Sequence, residues 1–196
     1  MSLAFSMPPM RCCRSAVPGM ARPWAIPGTA GLQHRIGGIE KAKDTGAVSY
    51  DPANHDEMVR TRAAKVAGIV RDIPDLVVDD PAGPDGKHAR VLVLGWGSTY
   101  GQIVAAVRRV RKTGRQVAYT HLRHLNPFPA NLGAILKSYD RVIVPEMNLG
   151  QLALLLRGKY LVDVQSYSRV RGQPISLSEL ARDLESEIDQ LEGVSA

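Results

Sequence analysis

The chain has little of what builds a self-contained metal or disulfide centre. Only two cysteines occur in 196 residues, and they are adjacent, Cys12 and Cys13. Sequence neighbours rarely meet the separation and side-chain direction a disulfide needs, so no disulfide framework is expected. Nor do the two supply the four spaced thiolates of a structural zinc or an iron–sulfur cluster, so any such centre must come from another chain. No apolar run approaches the ~20 residues that span a bilayer, which predicts a soluble, cytoplasmic product with no membrane partner. Aromatic residues make up only 5%. The formal charge of +6 comes from 25 basic and 19 acidic residues that are largely interspersed. That mixture reads as an ordinary solvated surface and argues against nucleic acid as a partner.

Acidic residues are also missing from the start: the first is Glu40. Before it, Arg11, Arg14, Arg22 and Arg35 lie among small residues and prolines such as Pro8, Pro9 and Pro18. This resembles an organellar presequence. The prolines, however, break the arginine-studded amphipathic helix such a leader needs, which favours a truncated or mis-started reading frame. Residues 1–20 are expected to be disordered or foreign to the fold.

Regular patterning begins at Asp51-Pro52, an N-cap followed by a proline at the first helical position. Val59, Ala63, Val66, Val70 and Ile73 then recur on one stripe, predicting a helix over about 52–73 that Pro74 ends. The charged, turn-forming stretch 79–87, DDPAGPDGK, reads as a linker. Residues 21–88 are thus a connecting segment, and residues 89–196 the compact domain. Within that domain Val91-Leu92-Val93-Leu94 predicts a buried strand, followed by a helix carrying Ile103, Val107 and Val110 that stops at Gly114. Further strands are expected at 116–120, 141–144 and 160–164, with helices at 131–137 and 150–157. Ser176-Leu177-Ser178-Glu179 is a capping-box pattern opening an amphipathic helix with Leu180, Leu184, Ile188 and Leu191 on its stripe. Strands alternating with helices predict an α/β fold, an open parallel sheet flanked by helices.

Three segments follow predicted strands. In Gly95-Trp96-Gly97-Ser98-Thr99-Tyr100-Gly101 a strand turns into a helix, where backbone N–H groups can cradle a phosphate. The third glycine stands one place late for a dinucleotide fingerprint, and no acid follows at the ribose position, so NAD is not supported. The other reading is a turn whose small residues let helix and strand pack closely. In the segment 121–129, HLRHLNPFP, Arg123 can pair with a carboxylate or phosphate, or merely sit in a loop shaped by Asn126 and two prolines. His121 and His124 lack the neighbours that complete a metal set. In Pro145-Glu146-Met147-Asn148-Leu149-Gly150, Glu146 can act as a general base or, the commoner role, cap the next helix with negative charge. Met147 and Leu149 are apolar for partner contact or for the core. No nucleophile elbow or carboxylate pair is present, so no catalytic or metal residue is assigned.

Six segments in order resemble one family. They are Ala21-Arg22-Pro23-Trp24-Ala25 with Pro27-Gly28-Thr29, Ser49-Tyr50-Asp51-Pro52, LGWGSTYG, HLRHLNPFP, PEMNLGQL and Arg171-Gly172-Gln173-Pro174. From about Arg22 onward the chain is similar to the C-terminal part of the α subunit of 2-oxoglutarate:ferredoxin oxidoreductases. The resemblance implies a transketolase C-terminal-like domain. It also implies a β-subunit partner carrying thiamine diphosphate, magnesium and an iron–sulfur cluster, with coenzyme A (CoA) as acyl acceptor and ferredoxin as electron acceptor. The cofactor performs the hard chemistry. This domain would shape the approach to it, through Gly95, Gly97, Ser98, Thr99, Arg123 and Asn126. The chain alone is then inactive. The alternative is a stand-alone module binding CoA or another phosphorylated ligand without redox activity.

Overall fold

A computed structural model describes residues 26, 28–31, 37–43, 46–83 and 86–193. The expectation for residues 1–20, the adjacent cysteines and the Arg22-Pro23-Trp24 segment lie outside the described residues. The chain divides into two compact units, Met1–Ile73 and Pro74–Ala196. Among the described residues no helix is long and apolar enough to cross a membrane.

The first unit centres on α1, Pro52–Gly68, which starts where Asp51 accepts the Ala53 N–H at 3.1 Å and Pro52 needs no donor. A 3-10 turn, Ile69–Asp72, carries the helix on to Ile73. Of the expected stripe Ile73 is buried and Val70 half-buried, while Val59, Ala63 and Val66 are exposed; Met58 is buried instead. A polar pin holds this unit. Arg62 donates two hydrogen bonds to the Glu40 carboxylate (3.1 and 3.0 Å), and the Lys41 N–H adds a third at 3.0 Å. These contacts, the Arg62 guanidinium first, lower the Glu40 carboxyl to about 2.

The second unit is built on four strands, β1 Val91–Trp96, β2 Ala118–Leu122, β3 Arg141–Glu146 and β4 Val164–Ser168. All neighbours pair in parallel in the order β2-β1-β3-β4. The helices are α2 Tyr100–Lys112, α3 Leu132–Lys137, α4 Gln151–Tyr160 and α5 Leu177–Glu192. Strand residues alternate between two cores, as the period of two requires. Leu92, Leu94, Val142, Val144 and Val164 pack with α3 and α4, whereas Val91, Val93 and Ile143 pack with α2 and α5. The sheet is thus covered on both faces, which is why its central strands β1 and β3 carry apolar runs.

One strand lies elsewhere than the sequence suggests. The segment 160–164, YLVDV, invites a strand, but α4 continues through Tyr160, and Leu161 caps it in the left-handed conformation at φ 53°. The strand begins at Val164 and continues as an edge strand, where only one face needs apolar residues. The capping box before α5 is half formed. Ser176 accepts the Glu179 N–H at 3.3 Å, but the Glu179 carboxylate takes the Arg171 guanidinium at 3.0 Å rather than reaching back.

The stretch after Ile73 does more than connect. The Asn131 side chain bonds both the N–H and the C=O of Leu76 at 2.9 Å, and Asp79 exchanges backbone hydrogen bonds with Tyr119 at 2.8 and 3.0 Å. Leu76 and Val78 pack on the core beside them. Asn131→Ala removes both hydrogen bonds and is expected to cost about 1–2 kcal/mol. Urea denaturation checks this, and an unchanged midpoint would show that the strap stands without them.

Candidate functional site at the carboxyl edge of the sheet

The strand order reverses between β1 and β3, so the crevice at their carboxyl ends is where open α/β sheets take ligands. Two loops, after β1 and after β3, flank it. The first is the glycine turn. Gly97 adopts φ 59°, which a side chain resists, and nothing lies within 4 Å of where its Cβ would stand. Gly97 and Ser98 are exposed, at the entry to α2.

Gly95 and Thr99 have a different character. A Cβ on Gly95 would lie 2.8 Å from His121 Nδ1 and 2.9 Å from Ile103 Cδ1, so this glycine is what lets β1, β2 and α2 approach. Thr99 is buried, and its hydroxyl donates to the Trp96 carbonyl at 2.7 Å, closing the turn on itself. Of the turn's residues, Gly97 and Ser98 face outward, while Gly95 and Thr99 are occupied inside.

Register carries Arg123 to the same edge. Gly95 pairs with His121 and Trp96 with Leu122, so Gly97 and Arg123 leave adjacent parallel strands side by side. Arg123 is exposed, and its charge reaches His121. Asn126 is also exposed, just before the cis peptide bond to Pro127. Pro127, Phe128 and Pro129 are buried and anchor the loop. His121 lies edge-on to the Tyr100 ring, 5.1 Å between centroids, with its Nδ1 buried and unpartnered. Burial holds its pKa below the ordinary imidazole value; a hydrogen bond with the Gly97 backbone works the other way, and Arg123 lowers it further. An NMR titration should therefore place the His121 midpoint below about 6.5. The sign for stability follows: the unfolded chain takes up the proton first, so this contribution is intact above about 6.5 and is lost as pH falls below it. A midpoint at or above the ordinary value would contradict the buried, uncharged ring.

In the loop after β3 the sequence leaves Glu146 between a general base and a helix cap, and Met147 and Leu149 between partner contact and core. Here Glu146 is fully buried and accepts the Leu152 and Ala153 N–H groups at 2.9 and 3.1 Å. It caps α4 as a negative charge at a helix N-terminus, and both its oxygens are committed. Asn148 accepts the Gly150 and Gln151 N–H groups at 2.8 and 2.9 Å, shaping the turn. Met147 and Leu149 are exposed rather than core. A separate cavity of about 290 Å³ lies between β4 and α5, lined by Gln165, Tyr167, Arg169, Asp183 and Glu187. Tyr167 Oη and an Arg169 Nη both bond Asp183 across it, at 2.9 and 3.0 Å. Among the described residues no three His, Cys, Asp or Glu side chains converge as a metal site.

Residues 89–181 match the family Pyruvate:ferredoxin oxidoreductase core domain II. The chain is 57% identical over 163 residues to 2-oxoglutarate oxidoreductase subunit KorA of Mycobacterium tuberculosis, covering 83% of this chain and 24% of that protein. It is 33% identical over 140 residues to the α subunit of 2-oxoacid:ferredoxin oxidoreductase 1 of Aeropyrum pernix, covering 69% of this chain and 22% of that one. A structure of 2-oxoglutarate:ferredoxin oxidoreductase from Magnetococcus marinus, with 2-oxoglutarate, coenzyme A and succinyl-CoA bound, superposes with a TM-score of 0.76 at 30% identity. That match covers 88% of this chain and 30% of the other. The chain is a homologue of the C-terminal part of the α subunit of 2-oxoacid:ferredoxin oxidoreductases. It spans about a quarter of the length of these curated relatives.

Proposed function

We propose that this chain supplies the C-terminal domain of a cytoplasmic 2-oxoacid:ferredoxin oxidoreductase α subunit and contributes to the CoA-dependent oxidative decarboxylation of 2-oxoglutarate. The observation that carries the reading is the 57% identity with the Mycobacterium tuberculosis subunit across 83% of this chain. In that reaction the 2-oxoacid loses CO₂, CoA takes the acyl group, and two electrons pass to ferredoxin. Thiamine diphosphate, magnesium and the iron–sulfur cluster belong to a β subunit, and no step is assigned to a metal ligand of this chain. Residues 21–88 serve as the connecting segment and residues 89–196 as the domain proper.

The domain's part is to bind and orient. Gly97 and Ser98 offer an exposed turn at a helix entry, suited to an anionic group, and Arg123 emerges beside them with a charge that can pair with a phosphate or carboxylate. Gly95 and Thr99 hold the turn's shape, and Asn126 shapes the neighbouring loop.

The test is a graft: the matched 163 residues replace their counterpart in the Mycobacterium tuberculosis subunit. Ferredoxin reduction dependent on 2-oxoglutarate and CoA should be retained, and a graft that fails to complete an active enzyme sinks the reading. In the same graft, Arg123→Ala is expected to raise the KM for CoA about tenfold with kcat little changed, the pattern of lost uniform binding. The stand-alone module predicts instead that the free chain binds CoA in calorimetry and loses that binding on Arg123→Ala.

A further inference from the structure

The outer face of α4 differs from those of the other long helices in its unit. α2 and α5 turn charged residues to water, whereas α4, QLALLLRGKY, is apolar on both sides through its run 152–156 before Arg157 and Lys159 follow. Leu152, Ala153 and Leu156 enter the core, while Leu154 and Leu155 remain 73% and 51% exposed. A helix apolar all round is ordinarily buried all round. Two further features at the end of the helix leave backbone and apolar surface open to water. Gly158 stands within the helix with nothing within 4 Å of where its Cβ would be, although an alanine there would favour the helix. Leu161 holds a left-handed conformation that glycine or asparagine usually takes, and its side chain is 90% exposed. At the other end of the helix Leu149 is 88% exposed. Leu154 and Gly158 are one turn apart, so a ridge beside a bare backbone step is presented outward.

We propose that the outward face of α4 is a docking surface for the rest of an α subunit, the part outside the 24% that this chain covers in its relative. This rests on the functional reading above. Charge states the partner's chemistry: Arg157 is already paired with Asp163 at 3.1 Å, Lys159 is the helix's other cation and α4 carries no acid, so the complementary surface is apolar and offers a carboxylate to Lys159. Gly158 admits that surface close to the helix backbone, and Leu161 caps the contact.

The experiment follows the reactivity of a thiol placed on this face. Leu154→Cys, in the full chain with Cys12→Ser and Cys13→Ser, is expected to react with a maleimide as an exposed thiol does. The same substitution in the completed graft is expected to react at least tenfold more slowly. An equal rate in the two overturns the docking while leaving the functional reading intact. Protection already present in the free chain also overturns it, whether a second copy in a sedimenting dimer or another part of the same chain provides the cover. Failure of the unsubstituted graft to complete the subunit overturns the functional reading and this occupant with it. Leu154→Lys supplies a second readout: the free chain should keep its unfolding midpoint while the yield of completed subunit falls about tenfold. No fall in yield counts against the proposal.

Discussion

Replacing Glu146 with alanine is expected to destabilise the sheet domain by on the order of 3 kcal/mol, because two buried N–H groups lose a charged acceptor at once. Leu152 and Ala153 are buried, and the carboxylate that serves their N–H groups is fully enclosed. Water cannot substitute without opening the packing of α4 on β3. Urea unfolding measures the effect as a lower midpoint at unchanged slope. Glu146→Gln refines it: the amide oxygen can serve one N–H, but its NH₂ must face the other, so an intermediate loss is expected. A full loss of enzyme activity in the graft with unchanged stability would instead return Glu146 to the role of a base.

Gly95→Val is expected to cost about 3 kcal/mol, through overpacking. The first atom of any side chain would meet His121 at 2.8 Å and Ile103 at 2.9 Å, and both neighbours are held from behind. Ile103 belongs to the core between the sheet and α2, and His121 is wedged against Tyr100. The smaller Gly95→Ala should cost less and shift the His121 titration, since the ring must move. Gly97→Ala differs in kind: space is open there, and the penalty comes from the backbone at φ 59°. A Gly95→Val variant as stable as the parent would mean that β1 and α2 are not packed as described.

The residues explain what could be read in advance. The apolar run at 91–94 had to be a strand buried on both faces, and it is the first four residues of β1. Asp51-Pro52 and Ser176 marked helix starts because capping chemistry is local, and both side chains accept the expected N–H groups. The strand placed at 160–164 failed for a local reason of another kind: Leu161 in a left-handed cap is a conformation that leucine seldom announces. The long-range relations were out of reach. That Gly95 is crowded while Gly97 is open depends on β2 and α2, and the crevice between β1 and β3 exists only once strand order is known. Likewise no periodicity distinguishes a charged connector from a segment that Asn131 ties down from 55 residues away.

That tie matters for where the domain can be cut. β2 is an outer strand of the sheet, and a bare outer strand is a template for pairing with another chain. Asp79 occupies the free side of Tyr119 through both of its backbone groups, and its carboxylate is held there by Arg111 at 2.9 Å. The family match begins only at residue 89. A fragment started there would keep every strand and helix of the sheet domain yet uncover the outer side of β2, turning a blunted border into an aggregation-prone one. A fragment meant to keep β2 covered is therefore best begun near residue 74, where the second compact unit starts, a choice set by edge protection rather than by the extent of the recognisable family.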